Sequence, residues 1–157
     1  STTTNMATFQ TAAGRPIDAI YQYQSLSDKL PGLASARNNL AYHLAVTNLQ
    51  SEEGLKLVSE ALALEPAGAA FYLDTRGWLH YRRGDYKKAA KDIDASLRLG
   101  PLHRSFTSEE SQIHAAEVAL KRGQNQKARR HALRARLLAP TGPISERALE
   151  ILGNTFQ

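Results

Sequence analysis

The side chains best suited to proton transfer or metal ligation near neutral pH are five histidines: His43, His80, His103, His114 and His131. No two of them form the His-x-x-x-His pair that puts two imidazoles on one helix face, and no acid accompanies them at a repeated ligand spacing. Asp92 and Asp94 are two residues apart, so on a helix they point in different directions and do not make an acid/base pair. Gly68 and Gly84 read as turn glycines rather than as a phosphate-cradling loop. The chain has no cysteine, which excludes disulfides, thiol nucleophiles, iron–sulfur clusters and cysteine-ligated zinc. No Ser/His/Asp set is suggested. The expectation is therefore a non-catalytic protein without metal or cofactor, in which His80 is a core or boundary residue.

The elements that would position any such groups must be built from 157 residues, one domain's worth and short of the roughly 250 that a β/α barrel takes. With 42% hydrophobic and 22% charged residues the composition is globular, and no stretch approaches the roughly 18 apolar residues of a membrane span. The absence of cysteine fits cytoplasm and periplasm alike. The chain starts at Ser1 with no signal-like segment, which suggests a piece of a longer chain. Its net charge of +5 is uneven: residues 1–78 hold 5 basic and 7 acidic side chains, residues 79–157 hold 15 and 8. A basic half of this kind suits an acidic partner, or is an ordinary solvated surface.

Proline spacing reveals a repeat. Pro31, Pro66, Pro101 and Pro140 are separated by 35, 35 and 39 residues, and each follows an apolar pattern of helical period. About half a repeat before each proline lies a polar or glycine turn: Gly14-Arg15, Asn48-Leu49-Gln50, Gly84-Asp85, Gly123-Gln124. The unit is helix, short turn, helix, proline stop. Helices are expected over 2–13, 16–29, 35–48, 51–64, 69–83, 86–99, 108–122, 125–138 and 143–153, with no convincing strand. Small residues recur in phase: Ala7, Ala41, Gly77 and Ala116 in the first helices, Ala19, Gly54, Ala89 and Ala128 in the second. They allow paired helices to approach closely, and stacked pairs then bury a continuous core.

This pattern resembles the tetratricopeptide repeat. The residues that carry the resemblance are Leu73 to Ala90 closing at Pro101, Asn38 to Tyr42 closing at Ala61 and Pro66, and the phased Ala116, Gly123, Ala128, Ala135 and Pro140. Asn5, Ala7, Gly14, Ala19 and Pro31 carry it in the first pair. The resemblance implies an all-α, right-handed superhelical solenoid of stacked antiparallel helix pairs. The expected repeats are 1–33, 34–68, 69–102 and 109–142, with 103–108 inserted and 143–153 as a C-terminal capping helix whose apolar contacts are Ala148, Leu149 and Leu152, stopped at Gly153. Arg76 departs from the family, which usually has an apolar residue there. Asn38–Tyr42 and Leu73–Tyr81 are also similar to repeats of long bacterial envelope and secretion proteins.

The family implies a concave groove lined by the first helices. Here that face carries Asn38, Tyr42, Phe71, Asp74, Trp78, Tyr81, Arg82, Glu117 and Lys121, with His114 close by. Aromatic rings beside isolated polar groups suit an extended peptide or a helix of a partner protein, although such rings also pack between neighbouring repeats. Some family members clamp a C-terminal carboxylate. Asn38 and Asn39 fit that clamp, but Asp74 and Tyr42 do not, and Asp74 argues for a basic or amide group in the ligand. A second candidate is the basic patch Lys127, Arg130 and Arg134 on one face of a helix, within a stretch from Val118 to Ser145 that has no acid. It would take an acidic polymer; without interleaved aromatics, nucleic acid is not the expected ligand. Three readings follow: a peptide-binding scaffold, a structural spacer that self-associates through an N-terminal edge exposing Met6 and Phe9, and an acidic-polymer binder.

Overall fold

The computed structural model describes residues 16–47 and 51–156. The helix expected over 2–13 and the edge formed by Met6 and Phe9 lie outside them, as does the Asn48–Gln50 turn. The described residues form eight α-helices: α1 (Pro16–Lys29), α2 (Ala34–Val46), α3 (Ser51–Leu64), α4 (Ala69–Arg82), α5 (Tyr86–Leu99), α6 (Glu109–Lys121), α7 (Asn125–Leu138) and α8 (Pro143–Asn154). Single 3-10 turns at Pro66–Gly68 and Gly100–Leu102 follow α3 and α5. Four helices have the bounds expected from sequence, and the other four differ by one or two residues.

Proline and glycine set these bounds by separate mechanisms. Gly84 and Gly123 adopt φ of 82° and 70°, the left-handed backbone that terminates a helix and that residues with a Cβ resist. The chain then closes each end the same way. Asp85 N–H donates to His80 O and Gln124 N–H to Ala119 O, both at 2.9 Å. Asp85 at once caps α5, its carboxylate accepting from Lys88 N–H at 3.3 Å. Gly142 (φ 84°) turns the chain into α8, whose first residue is Pro143. Gly153 does not act as the expected stop: α8 runs through it, and Thr155 closes the helix, with its hydroxyl donating to Leu152 O at 2.8 Å.

Consecutive helices pack as antiparallel pairs, and α2, α4, α6 and α8 also touch in succession, so the first helices make one layer of the stack. The phased small residues lie where the layers meet. Ala19, Ala41, Ala89, Ala116 and Ala128 have no exposed surface. A Cβ on Gly54 would stand 2.9 Å from Leu79, and one on Gly77 would stand 2.5 Å from Ile93 and 3.1 Å from the Ala89 carbonyl oxygen. Toward the N-terminus the core is built from Tyr23, Leu40, Leu44, Leu57, Val58, Tyr72 and Leu79. Toward the C-terminus it is built largely from alanines of α6, α7 and α8, with Ile113 and Ile151. In α8 the buried contacts are Ala148 and Ile151, with Leu152 partly buried. Leu149, expected among them, is 49% exposed, because it falls on the outer side of the helix.

Arg76 has a local explanation. Its guanidinium grips Asp92 of the paired helix α5 in a two-pronged ion pair of 2.7 and 2.8 Å. Asp92 is 5% exposed, so a cation there is required rather than merely tolerated. Asp94 points elsewhere, as its spacing predicts, and pairs with Lys127. His80 is partly buried at 3.8 Å from Asp92.

Candidate functional site

The face made by the first helices holds a cavity of about 650 Å³. Helix α2 contributes Asn38, Asn39, Tyr42 and His43, and α4 contributes Phe71, Asp74 and Thr75. The far wall is Phe106 and Thr107 of the segment joining α5 to α6 with Glu109 and Glu110 at the start of α6. Tyr23 of α1 and Ile144 of α8 reach the same space, so the stack curves enough for its two ends to face one cavity. The joining segment is held in place by rings. Phe106 and His103 both stand edge-on to Phe71, at 5.3 and 4.8 Å. Phe106 also lies on Gly100, where a Cβ would be 2.3 Å from the ring.

Tyr42 spans the cavity. Its hydroxyl donates to Glu110 at 2.8 Å, across 68 residues of sequence. Burial, then the Glu110 charge, raises its phenol far above the ordinary value, so the proton stays on Tyr42. Asn38 Oδ1 is buried and has no hydrogen-bond partner among the described residues. His43 is stacked on Tyr23, and burial lowers its pKa and keeps it neutral.

Of the residues expected on this face, Asn38, Tyr42, Phe71 and Asp74 are brought together around the cavity. Trp78, Tyr81, His114 and Glu117 instead form a packed column beside it. Trp78 is sandwiched between His114 (4.1 Å) and Tyr81 (4.5 Å). His114 Nδ1 lies 3.0 Å from both carboxylate oxygens of Asp74. Burial lowers the pKa of this imidazole, but Asp74, with Glu110 and Glu117, outweighs it, and the net shift is upward. Tyr81 donates to Glu117 at 3.3 Å, and Glu117 is gripped by Arg147 of α8. Burial and Glu117 push the Tyr81 phenol up to about 12. His114 and Glu117 are thus internal partners rather than surface groups. Arg82 and Lys121 are exposed at the C-terminal ends of α4 and α6.

The basic stretch is similarly divided. Lys127 is engaged with Asp94 at 2.9 Å. Arg129 donates to Thr155 and lies 4.1 Å over the Phe156 ring. His131 is buried against Gln112 Oε1 at 2.7 Å, with its pKa lowered to about 4 by burial first and by Lys127 next, so it adds no charge at neutral pH. Arg130 and Arg134 remain on the surface. Among the described residues no group of three or more His, Cys, Asp or Glu is placed to hold a metal, and no helix is long and apolar enough to cross a membrane.

The family model for the tetratricopeptide repeat matches residues 70–103, which are α4, α5 and the turn after them. Among solved structures, 44 chains match. One is the crystal structure of a tetratricopeptide repeat protein from Parabacteroides merdae ATCC 43184, which superposes with a TM-score of 0.66 over 98% of this chain at 19% identity. The chain carries the tetratricopeptide-repeat fold. It spans 58% of the length of that Parabacteroides chain. No curated protein matches the sequence.

Within this tetratricopeptide stack, Tyr23, Phe106, Thr107, Glu109 and Glu110 were not among the residues expected at the site. The sequence carries one signal for the joining segment: Phe106 is a lone aromatic in a polar segment, and such a ring needs something to cover it. Tyr23, in a second helix, has no comparable signal.

Proposed function

We propose that this protein is a non-catalytic interaction scaffold that holds a peptide or helix of a partner protein in the cavity of its first-helix face. The observation that carries the reading is the cavity itself. Its volume lies within the roughly 300–1,000 Å³ usual for ligand sites. It is lined by rings from three helices and an insertion, together with the amides Asn38 and Asn39. Tetratricopeptide folds present such faces to extended or helical segments, and ring-lined pockets are where anchor side chains bind most strongly. We take the repeat units to be 1–33, 34–68, 69–102 and 109–142, with 103–108 inserted and 143–153 as a C-terminal capping helix.

Random 12-residue peptides displayed on phage and selected on the intact chain test this reading. Peptides should be enriched that lose binding to an Asn38→Ala, Phe106→Ala variant whose folding is verified by circular dichroism. A selection that yields no peptide sensitive to these two changes would refute the cavity as the binding site.

A further inference from the structure

Resting on that reading of the cavity, we infer that its ligand is a basic segment of a partner protein, anchored by an arginine or lysine side chain whose cation faces Glu109 and Glu110 and whose stem lies on Tyr42, Phe71 and Phe106.

The argument starts from which acids lack a counter-charge. Elsewhere several carboxylates are matched: Asp92 by Arg76, Glu117 by Arg147, Asp94 by Lys127 and Glu60 by Arg37. Three carboxylates line the cavity, those of Asp74, Glu109 and Glu110, and no lysine or arginine does. His114, behind Asp74, answers one of them. Glu110 accepts from the neutral Tyr42 hydroxyl and makes no ion pair, and Glu109 has no ion pair or hydrogen bond, among the described residues. Their place in the first turn of α6 accounts for two acids near one another through the helix dipole. It does not account for the second feature, which lies on a different helix. The ring of Tyr42, from α2, lines the same space as these acids, and its hydroxyl reaches Glu110.

The wall of the cavity therefore offers carboxylate acceptors and no lysine or arginine to answer them. A guanidinium supplies five N–H donors and a positive charge, and an ammonium supplies three. Both carry an aliphatic stem that buries well against rings, and a cation near aromatic faces is further stabilised. The chain as a whole is positively charged, so this acidic recess is a local reversal of sign that steers a basic segment to one place.

The cavity-dependent peptides of the selection above provide the test. They should share an Arg or Lys at a fixed position. A synthetic peptide of the commonest sequence should bind Glu109→Gln, Glu110→Gln protein about tenfold more weakly. It should also weaken as salt rises from 50 to 300 mM, while the glutamine variant loses most of that salt dependence. Glutamine keeps an acceptor for Tyr42, so the fold is preserved, and circular dichroism checks this. Cavity-dependent peptides without a shared cation, or with binding indifferent to the two glutamines, would overturn this inference and leave the scaffold reading standing. Saturation of the cavity by N-acetyl-arginine amide as tightly as by the peptide would also overturn it, in favour of a small cationic ligand. No cavity-dependent peptide at all would remove both.

Discussion

In the N-terminal half, α1 to α4 meet through large side chains: Tyr23, Leu40, Leu57, Tyr72 and Leu79 fill the space between helix axes. In the C-terminal half, α6 to α8 meet through Ala116, Ala119, Ala128, Ala132, Ala135 and Ala148. The same helix-pair plan is thus filled in two ways, with bulky side chains among the alanines in one half and mainly alanines in the other. Alanine packing buries less apolar area per residue and distinguishes poorly between registers. The C-terminal half adds polar pairs that do distinguish them: Gln112 with His131 and Glu117 with Arg147. Specificity there comes from hydrogen bonds that fit in one alignment only, whereas the N-terminal half combines shape with the Arg37–Glu60 ion pair between α2 and α3.

Four perturbations sharpen or break this contrast. The largest effect is expected for Leu79→Ala, which empties a fully buried site in the large-residue half; it should lower unfolding stability by about 4 kcal/mol in urea titration. Ala132→Leu adds bulk at a fully buried position of the alanine-rich half and should cost about 3 kcal/mol. A cost below about 1 kcal/mol would mean that the alanine interface has slack, and the contrast would fail.

The third perturbation is pH. His131 titrates near 6.5 when unfolded and near 4 when folded. Its contribution is complete above pH 6.5 and is lost as pH falls through 4. His114 runs the other way: its folded pKa is raised, so its contribution is complete below pH 6.5 and is lost as pH rises through the folded value. Stability measured from pH 4 to 8 should therefore fall on the acid side, and His131→Asn should remove on the order of 2–3 kcal/mol of that fall. An acid limb unchanged in the variant would show that His131 is not the group responsible. The smallest effect is expected for Lys127→Ala, whose partner Asp94 is partly exposed. It should change stability by no more than about 0.5 kcal/mol, which thermal unfolding at low and high salt would check.

The elements were legible because prolines and glycines mark where helices stop, and small residues mark where they cross. Pro66, Gly84, Pro101 and Gly123 act over a few residues, within reach of a one-dimensional reading. The partner of Arg76 was not legible as a partner, although Arg76 itself stood out, because Asp92 meets it only when the two helices pair. Half of the cavity was legible: Asn38, Tyr42, Phe71 and Asp74 share the face that first helices present. The other half depends on how sharply the stack curves. No local pattern states that Tyr23 and Ile144 look into one space, or that His114 and Glu117 turn inward to meet α4 and α8.

The bond from Tyr42 to Glu110 has a mechanical meaning. A solenoid is in principle a spring whose turns feel only their neighbours, so that stretching it spreads evenly over small rotations. Here a side chain of α2 is fastened to the start of α6, bypassing the pair between them. The clasp shortens the working length of the spring. Tension applied at the two ends loads that link and the Phe106 strap beside it before the helices can pivot, and their release is what would let the array uncoil.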